Sequence, residues 1–265
     1  MPRIESGKVI LHYLVSGKAD GPPLVLANSL GSSMRMWERV LPAFEERFRV
    51  VRFDMRGHGE SGVPHGPYSI EQLGADLISL MDAVGVSHAH VCGLSLGGLV
   101  AMWIGIHKAD RVGRIVLANT AARIGTSDAW EQRILTVREH GMDSIASQTP
   151  GRWFTEKYRA LHPDEMESMR QMVASTAPEG YSACCAALRD ADLRELVHSI
   201  DVPCLVVAGT HDPATTVQDG LDLHGALRRS TYVELDASHL SAWEQHEEFS
   251  KAVLSFLCQE EMHHG

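Results

Sequence analysis

The sequence predicts an α/β fold, a mostly parallel sheet covered by helices on both faces, with an all-helical insertion ahead of the last two strands. Three observations carry that expectation. Short apolar segments alternate with amphipathic ones along most of the chain. One junction between them reads G-L-S-L-G at Gly93–Gly97. Between about residues 121 and 199 the alternation gives way to helical stretches without a convincing strand. Strands that alternate with crossover helices build a parallel sheet, and strands buried on both faces read as continuous apolar runs.

Taken in order, Val9–Val15 reads as a strand and Leu24–Ala27 as a short apolar one ending at polar Asn28. Trp37–Glu46 has helical spacing, and Arg49–Phe53 is a strand entering the turn Asp54–Gly62. In Ser69–Val84 the residues Ile70, Leu73, Leu77, Leu80, Met81 and Val84 form one apolar stripe, the mark of an amphipathic helix. His88–Cys92 follows as a strand, Gly97–His107 as a helix and Val112–Ala118 as a strand. Inside the insertion, Trp130–His140, Pro163–Ala174 and Tyr181–Leu188 are helical stretches separated by Gly and Pro breaks. The alternation then resumes with strand Cys204–Ala208, helix Thr215–Leu227, strand Thr231–Leu235 and helix Glu247–Cys258. The tail from Gln259, with His263 and His264, reads as a frayed end. The expected division is a core of residues 1–120 and 200–265 with residues 121–199 as a helical cap over the strand ends, where α/β sheets bind ligands.

The 265 residues carry 24 Lys+Arg against 34 Asp+Glu, a formal net charge of −10. Nucleic-acid binding by phosphate neutralisation needs clustered cations, so no such partner is expected. No stretch approaches the roughly 20 apolar residues of a membrane span, and M-P-R-I-E-S-G-K lacks the apolar run of a secretory signal. Cys92, Cys184, Cys185, Cys204 and Cys258 are an odd set without a C-x-x-C pair, which suits reduced thiols better than a disulfide framework or a zinc knuckle. The expectation is a cytoplasmic protein, its oligomeric state open.

Chemistry concentrates at Gly93–Gly97. Between a strand and a helix, this motif forms a tight elbow that forces its central residue into a strained conformation and lifts Ser95 above the sheet. Its neighbours two positions away must lack bulk, hence Gly93 and Gly97. A serine nucleophile needs a base and the base an orienting acid, in the chain order Ser, Asp/Glu, His for this elbow. His239, in A-S-H-L after the last strand, stands at the matching sheet end. Asp212, in G-T-H-D-P after Cys204–Ala208, is the favoured acid; its competitor Asp236 lies only three residues before His239 on the same loop. Acyl transfer also needs two donors for the oxyanion. The N–H of Leu96 follows the nucleophile, and the N–H of Leu30 lies in the Asn28–Gly31 loop. Gly57–Gly62 matches G-x-G-x-x-G after a strand, yet Val63-Pro64-His65-Gly66-Pro67 cannot be the phosphate-cradling helix, so it reads as a turn.

Together, the Asn28–Gly31 loop, D-M-R-G-H-G-E-S at Asp54–Ser61, the Ser95 elbow, Asp212 and His239 resemble the α/β-hydrolase superfamily over essentially the whole chain. Many of its members carry His-Gly where this chain has Asn28-Ser29. The N-S-L-G loop, Met36-Trp37, G-L-S-L-G-G, W-E-Q-R-I at Trp130–Ile134 and R-W-F-T at Arg152–Thr155 are similar to the 3-oxoadipate enol-lactonases. That resemblance implies hydrolysis of a five-membered enol-lactone bearing an acetate arm, in the β-ketoadipate pathway of bacterial aromatic degradation. It implies an anionic small-molecule substrate and no cofactor.

An anionic substrate needs a local cation. Residues 121–199 hold eight arginines and one lysine beside twelve Asp/Glu. Arg133 and Arg152 are singled out because each lies near an aromatic residue, Trp130 or Trp153, that could wall a pocket. Trp243, four residues after His239, could border the site or pack at a helix start. The competing readings are a related carboxylesterase, a C–C bond hydrolase on the same triad, and a ligand-binding module without turnover.

Overall fold

The computed structural model describes residues 2–7 and 9–259, so His263 and His264 lie outside the described residues. Eight strands form one sheet: β1 (Arg3–Ser6), β2 (Val9–Gly17), β3 (Pro23–Ala27), β4 (Arg49–Phe53), β5 (Ala89–Leu94), β6 (Val112–Ala118), β7 (Cys204–Gly209) and β8 (Ser230–Leu235). Their order is β1-β2-β4-β3-β5-β6-β7-β8. The pairs β1–β2 and β2–β4 are antiparallel and all others parallel. The expected mostly parallel sheet is therefore present, and every strand anticipated from the sequence is found within two residues at each end.

Composition explains the placement. β7 is buried at every position and β3, β5 and β6 at all but one, as strands covered on both faces must be. The edge strand β8 keeps Glu234 exposed, and β1 adds an edge through the charged alternation R-I-E-S, too polar for its sequence to announce a strand. Helix Ile70–Ala83 starts at a capping box in which Ser69 and Gln72 exchange side-chain and backbone hydrogen bonds. It packs on helix Leu96–His107 at Gly74, where a Cβ would approach Trp103 to 2.1 Å. The expected single helix over Trp37–Glu46 is instead a 3-10 turn, Met34–Trp37, followed by a short helix, Leu41–Glu45, that restarts with proline in its first turn.

Chain direction fixes where a site can lie. From β3 the chain crosses to β4 on one side, whereas β5 lies on the other side of β3, so the loops leaving β3 and β5 diverge at a topological switch point. Ligand crevices of open α/β sheets form there, beyond the carboxyl ends of the strands. Between β6 and β7, which pair directly, the described residues form only helices and turns, chiefly Ser127–His140, Pro163–Ala174 and Pro178–Asp190. Short helices Asp143–Ala146, Thr149–Trp153 and Glu156–Leu161 link the first two.

The helical segment meets the core through glycine. A Cβ on Gly180 would lie 2.3 Å from the Gly57 carbonyl oxygen, and one on Gly57 would lie 2.6 Å from Gly180 Cα. Gly180→Ala should therefore lose about 1–3 kcal/mol of stability to the clash, against the gain of about 1 kcal/mol that alanine brings to a helix interior. Urea unfolding midpoints of the variant and the parent protein check the sign.

Candidate active site

At the end of β5 the backbone of Ser95 adopts φ 58° and ψ −115°, and helix Leu96–His107 begins at the next residue. The turn is feasible only because its surroundings are bare. A Cβ on Gly93 would sit 2.1 Å from the Gly97 carbonyl oxygen, and one on Gly97 would sit 2.1 Å from that of Ala27. One on Gly98 would strike the Thr120 side chain at 2.5 Å. Ser95 is anchored on both sides: its N–H donates to the Ala118 carbonyl at 2.9 Å, and its own carbonyl accepts the Thr120 hydroxyl at 2.8 Å.

His239 Nδ1 lies 2.8 Å from Asp212 Oδ2, with both side chains buried. Asp212 also accepts the N–H groups of Ala214 and Thr215, the Thr215 hydroxyl at 2.7 Å and the Asn119 amide at 3.0 Å. Burial pushes its pKa up, but the charge of His239 and these hydrogen bonds outweigh burial and hold it below the usual carboxylate range. An ionised Asp212 keeps the proton of His239 on Nδ1 and leaves Nε2 free to accept one. The competitor Asp236 instead pairs with exposed His211 at 2.9 Å, on the surface.

Asn119, which sequence reasoning missed, takes a left-handed φ of 44° just beyond β6. Its amide spans Asp212 and the Ser238 carbonyl, and its oxygen accepts the Ser241 hydroxyl. A polar residue directly after a buried apolar strand was the one signal that could have marked it.

The Asn28–Gly31 loop is fixed from several sides. Asn28 donates to the Phe53 carbonyl at 2.7 Å and accepts the Trp37 indole N–H at 2.8 Å, a bracing role that explains an asparagine here. The Ser29 N–H donates to Met36 Sδ and the Gly31 N–H to His58 Nε2 at 2.9 Å. Between them the N–H of Leu30 has no protein acceptor among the described residues. The Leu96 N–H heads its helix beside Ser95, where helix N-termini favour negative charge. The rejected Gly57–Gly62 motif is a turn whose His58 supports this loop.

Ser95 and His239 face one cavity of about 310 Å³, together with Ser29, Leu30, Trp130, Arg133, Arg152 and Trp153. Tyr181, Gln148, Thr149, Ile124 and Val173 also line it and were not anticipated, and none of the described residues lining it is acidic. Arg133 reaches the Tyr181 hydroxyl at 3.2 Å and lies over the Trp130 ring at 5.5 Å. Neither Arg133 nor Arg152 has a carboxylate within ion-pair distance among the described residues, whereas Arg123, Arg170, Arg189 and Arg194 all do. Burial, then the neighbouring charge of Arg133, lowers the pKa of Arg152.

The expectation for Trp243 is corrected. Its indole N–H donates to Glu165 at 2.6 Å, Arg39 lies over its ring, and it lines a separate cleft with Met169 and Met172. A glutamate 78 residues away claims the indole, so Trp243 packs at its short helix Ser241–Glu244 rather than bordering the cavity.

Fold and site together define an alpha/beta hydrolase fold, whose family model matches residues 22–245, and the chain belongs to that family. It is 42% identical over 245 residues to 3-oxoadipate enol-lactonase 2 of Acinetobacter baylyi, covering 92% of each chain. The solved enol-lactonase of Burkholderia xenovorans superposes with a TM-score of 0.96 at 42% identity, over 97% of this chain and 100% of that one. A thermophilic esterase from Thermogutta terrifontis, solved with malate bound, gives 0.91 at 29% identity, over 97% of this chain and 98% of that one. Among the described residues no helix is long and apolar enough to cross a membrane.

Burial holds His58 neutral, its pKa below the ordinary value, despite its contact with the Arg56 carbonyl and the charge of Asp54. The unfolded chain therefore takes up this proton first. Stability should fall as pH drops below about 6.5, in parallel with buried His90, which is pushed down to about 4. His58→Gln keeps an acceptor for Gly31 without a titrating ring. Thermal melts between pH 8 and 5 should show a shallower acid loss in that variant, and an unchanged slope would assign the loss elsewhere.

Proposed function

We propose that this protein is a serine hydrolase that opens the ring of 3-oxoadipate enol-lactone through an acyl-enzyme. The observation that carries the reading is one cavity holding Ser95, the Asp212-paired His239 and two arginines without carboxylate partners among the described residues. Likeness to enol-lactonases over nearly the full chain supports the substrate class.

Ser95 Oγ attacks the lactone carbonyl as His239 Nε2 takes its proton, and the imidazolium is stabilised by Asp212. The N–H groups of Leu30 and Leu96 receive the oxyanion. Collapse of the tetrahedral intermediate breaks the ring C–O bond and expels an enolate, which is protonated by His239 and becomes the ketone. Water then gives a proton to His239 and attacks the acyl carbon; collapse of this second tetrahedral intermediate breaks the acyl C–Oγ bond, Ser95 Oγ takes the proton back from His239, and the carboxylic acid product leaves. The free carboxylate of the substrate is held by Arg133 and Arg152, beneath a helical cap formed by residues 121–199. The enzyme works as a cytoplasmic catalyst without a metal or organic cofactor.

Ser95→Ala should lower kcat by about 10⁶-fold, and Asp212→Asn by about 10⁴-fold through a misplaced proton on His239; both should retain the far-UV spectrum of the parent. Initial rates with the enol-lactone and with p-nitrophenyl acetate measure this, and appreciable turnover by Ser95→Ala would sink the mechanism. Arg133→Ala or Arg152→Ala should raise KM for the anionic lactone about 10- to 100-fold, the worth of a charged hydrogen bond. KM for the neutral ester should stay nearly constant; equal changes on both substrates would remove the arginines from recognition.

A further inference from the structure

The structure carries a buried carboxylate that the triad does not use. Glu244 ends the short helix Ser241–Glu244 and is only 7% exposed. No lysine, arginine or histidine pairs with it among the described residues. Its oxygens accept the Ser238 N–H at 3.0 Å, the Thr155 N–H at 3.2 Å and the Thr155 hydroxyl. Ser238 immediately precedes His239, and Thr155 closes the segment that carries Arg152 and Trp153.

Two further bonds join the same two segments. The Ser238 hydroxyl lies 2.9 Å from the Arg152 carbonyl, and the Leu240 N–H donates to the Trp153 carbonyl at 3.0 Å. Both neighbours of His239 are thus tied to the stretch Arg152–Thr155. A buried, unpaired carboxylate is costly unless hydrogen bonds compensate it, so its three donors are held firmly. Thr155 also caps helix Glu156–Leu161 by accepting the Tyr158 N–H, which fixes the direction of its own hydroxyl proton toward Glu244.

We propose that Glu244 is a positioning residue that sets the general base and the substrate-anion site in one frame. It acts through Ser238 on His239 and through Thr155 on Arg152, and it touches no substrate. This rests on the proposed roles of His239 and Arg152. Its consequence is a coupling: binding energy gained at the carboxylate arm is transmitted to the placement of the base, which is how remote binding raises kcat rather than affinity alone.

Glu244→Gln is nearly isosteric but replaces one acceptor oxygen with a donor that must face an N–H or hydroxyl donor. Thr155→Val removes only the hydroxyl arm. Glu244→Gln should lower kcat on p-nitrophenyl acetate about 10-fold and also cut the ratio of kcat/KM for enol-lactone over ester about 10-fold. Thr155→Val should cut that ratio by a larger factor than it lowers the ester kcat. In Glu244→Gln, adding Arg152→Ala should then change the ratio by less than it does in the parent protein. A purely structural Glu244 would lower the melting temperature and active fraction yet leave both per-active-site kcat, titrated with a fluorophosphonate, and the ratio at parental values. That outcome overturns the proposal. Failure of the functional reading is recognised separately, in the parent protein alone, by the absence of any preference for the lactone.

Discussion

Ser95 occupies a backbone region that costs a residue with a side chain about 1–3 kcal/mol, and the arrangement of the centre of the molecule follows from keeping it there. Its φ of 58° lets a strand turn into a helix within one residue. That turn drives the backbone at Gly93, Gly97 and Gly98 against each other, against Ala27 and against Thr120, at separations no Cβ could share. The neighbouring strands hold the strain: β3 supplies Ala27, and β6 leads into Ala118, Asn119 and Thr120. The strained residue is therefore built into the middle of the sheet, and the groups arranged around it come from strands that pair there.

The same economy governs the loop after β3. A backbone N–H that is to serve an incoming oxyanion must stay free, while its neighbours must be fixed. Here the two flanking N–H groups are taken by unusual acceptors, the thioether of Met36 and the imidazole of His58. His58 can accept only while neutral, and burial favours that neutral form, with the Cys184 thiol 4.0 Å from its Nδ1. A motif that looked like a phosphate loop is thus tied to the Ser95 site through one hydrogen bond to Gly31.

How much of this was legible depended on whether a residue's place is set locally or by distant partners. The strand β6 coincides with its expected span because both-sided burial writes itself as a largely apolar run, and β4 does so because its apolar Val50, Val51 and Phe53 are bounded by a polar turn. Ser95, Asp212 and His239 could be paired by chain order, since each follows a parallel strand and all such loops emerge at one end of the sheet. Trp243 stood between two readings, the cavity border and a helix start, because its position depends on Glu165, and Tyr181 was overlooked because only the return of its helix against the core brings it to the cavity. The break at Pro42 was readable in principle, yet helical spacing over Trp37–Glu46 masked the end of one turn and the start of another. Glu244 offered no signal: a glutamate at a helix end is ordinarily solvated.

The charge balance gains a sharper meaning from the cavity. A net charge of −10 opposes the approach of an anion, but in physiological salt that field decays within about 8 Å of the surface. Inside the cavity no acidic residue among those described answers Arg133 and Arg152. At an effective dielectric near 20, a carboxylate about 4 Å from one guanidinium gains about 4 kcal/mol, against about 1 kcal/mol in bulk water. For the proposed anionic substrate, attraction therefore begins only after it has entered and shed water, so that electrostatics lengthens residence rather than speeding encounter. The two cations also repel each other, which adds to burial in lowering the pKa of Arg152. The carboxylate of the proposed substrate, placed between them, would relieve that repulsion.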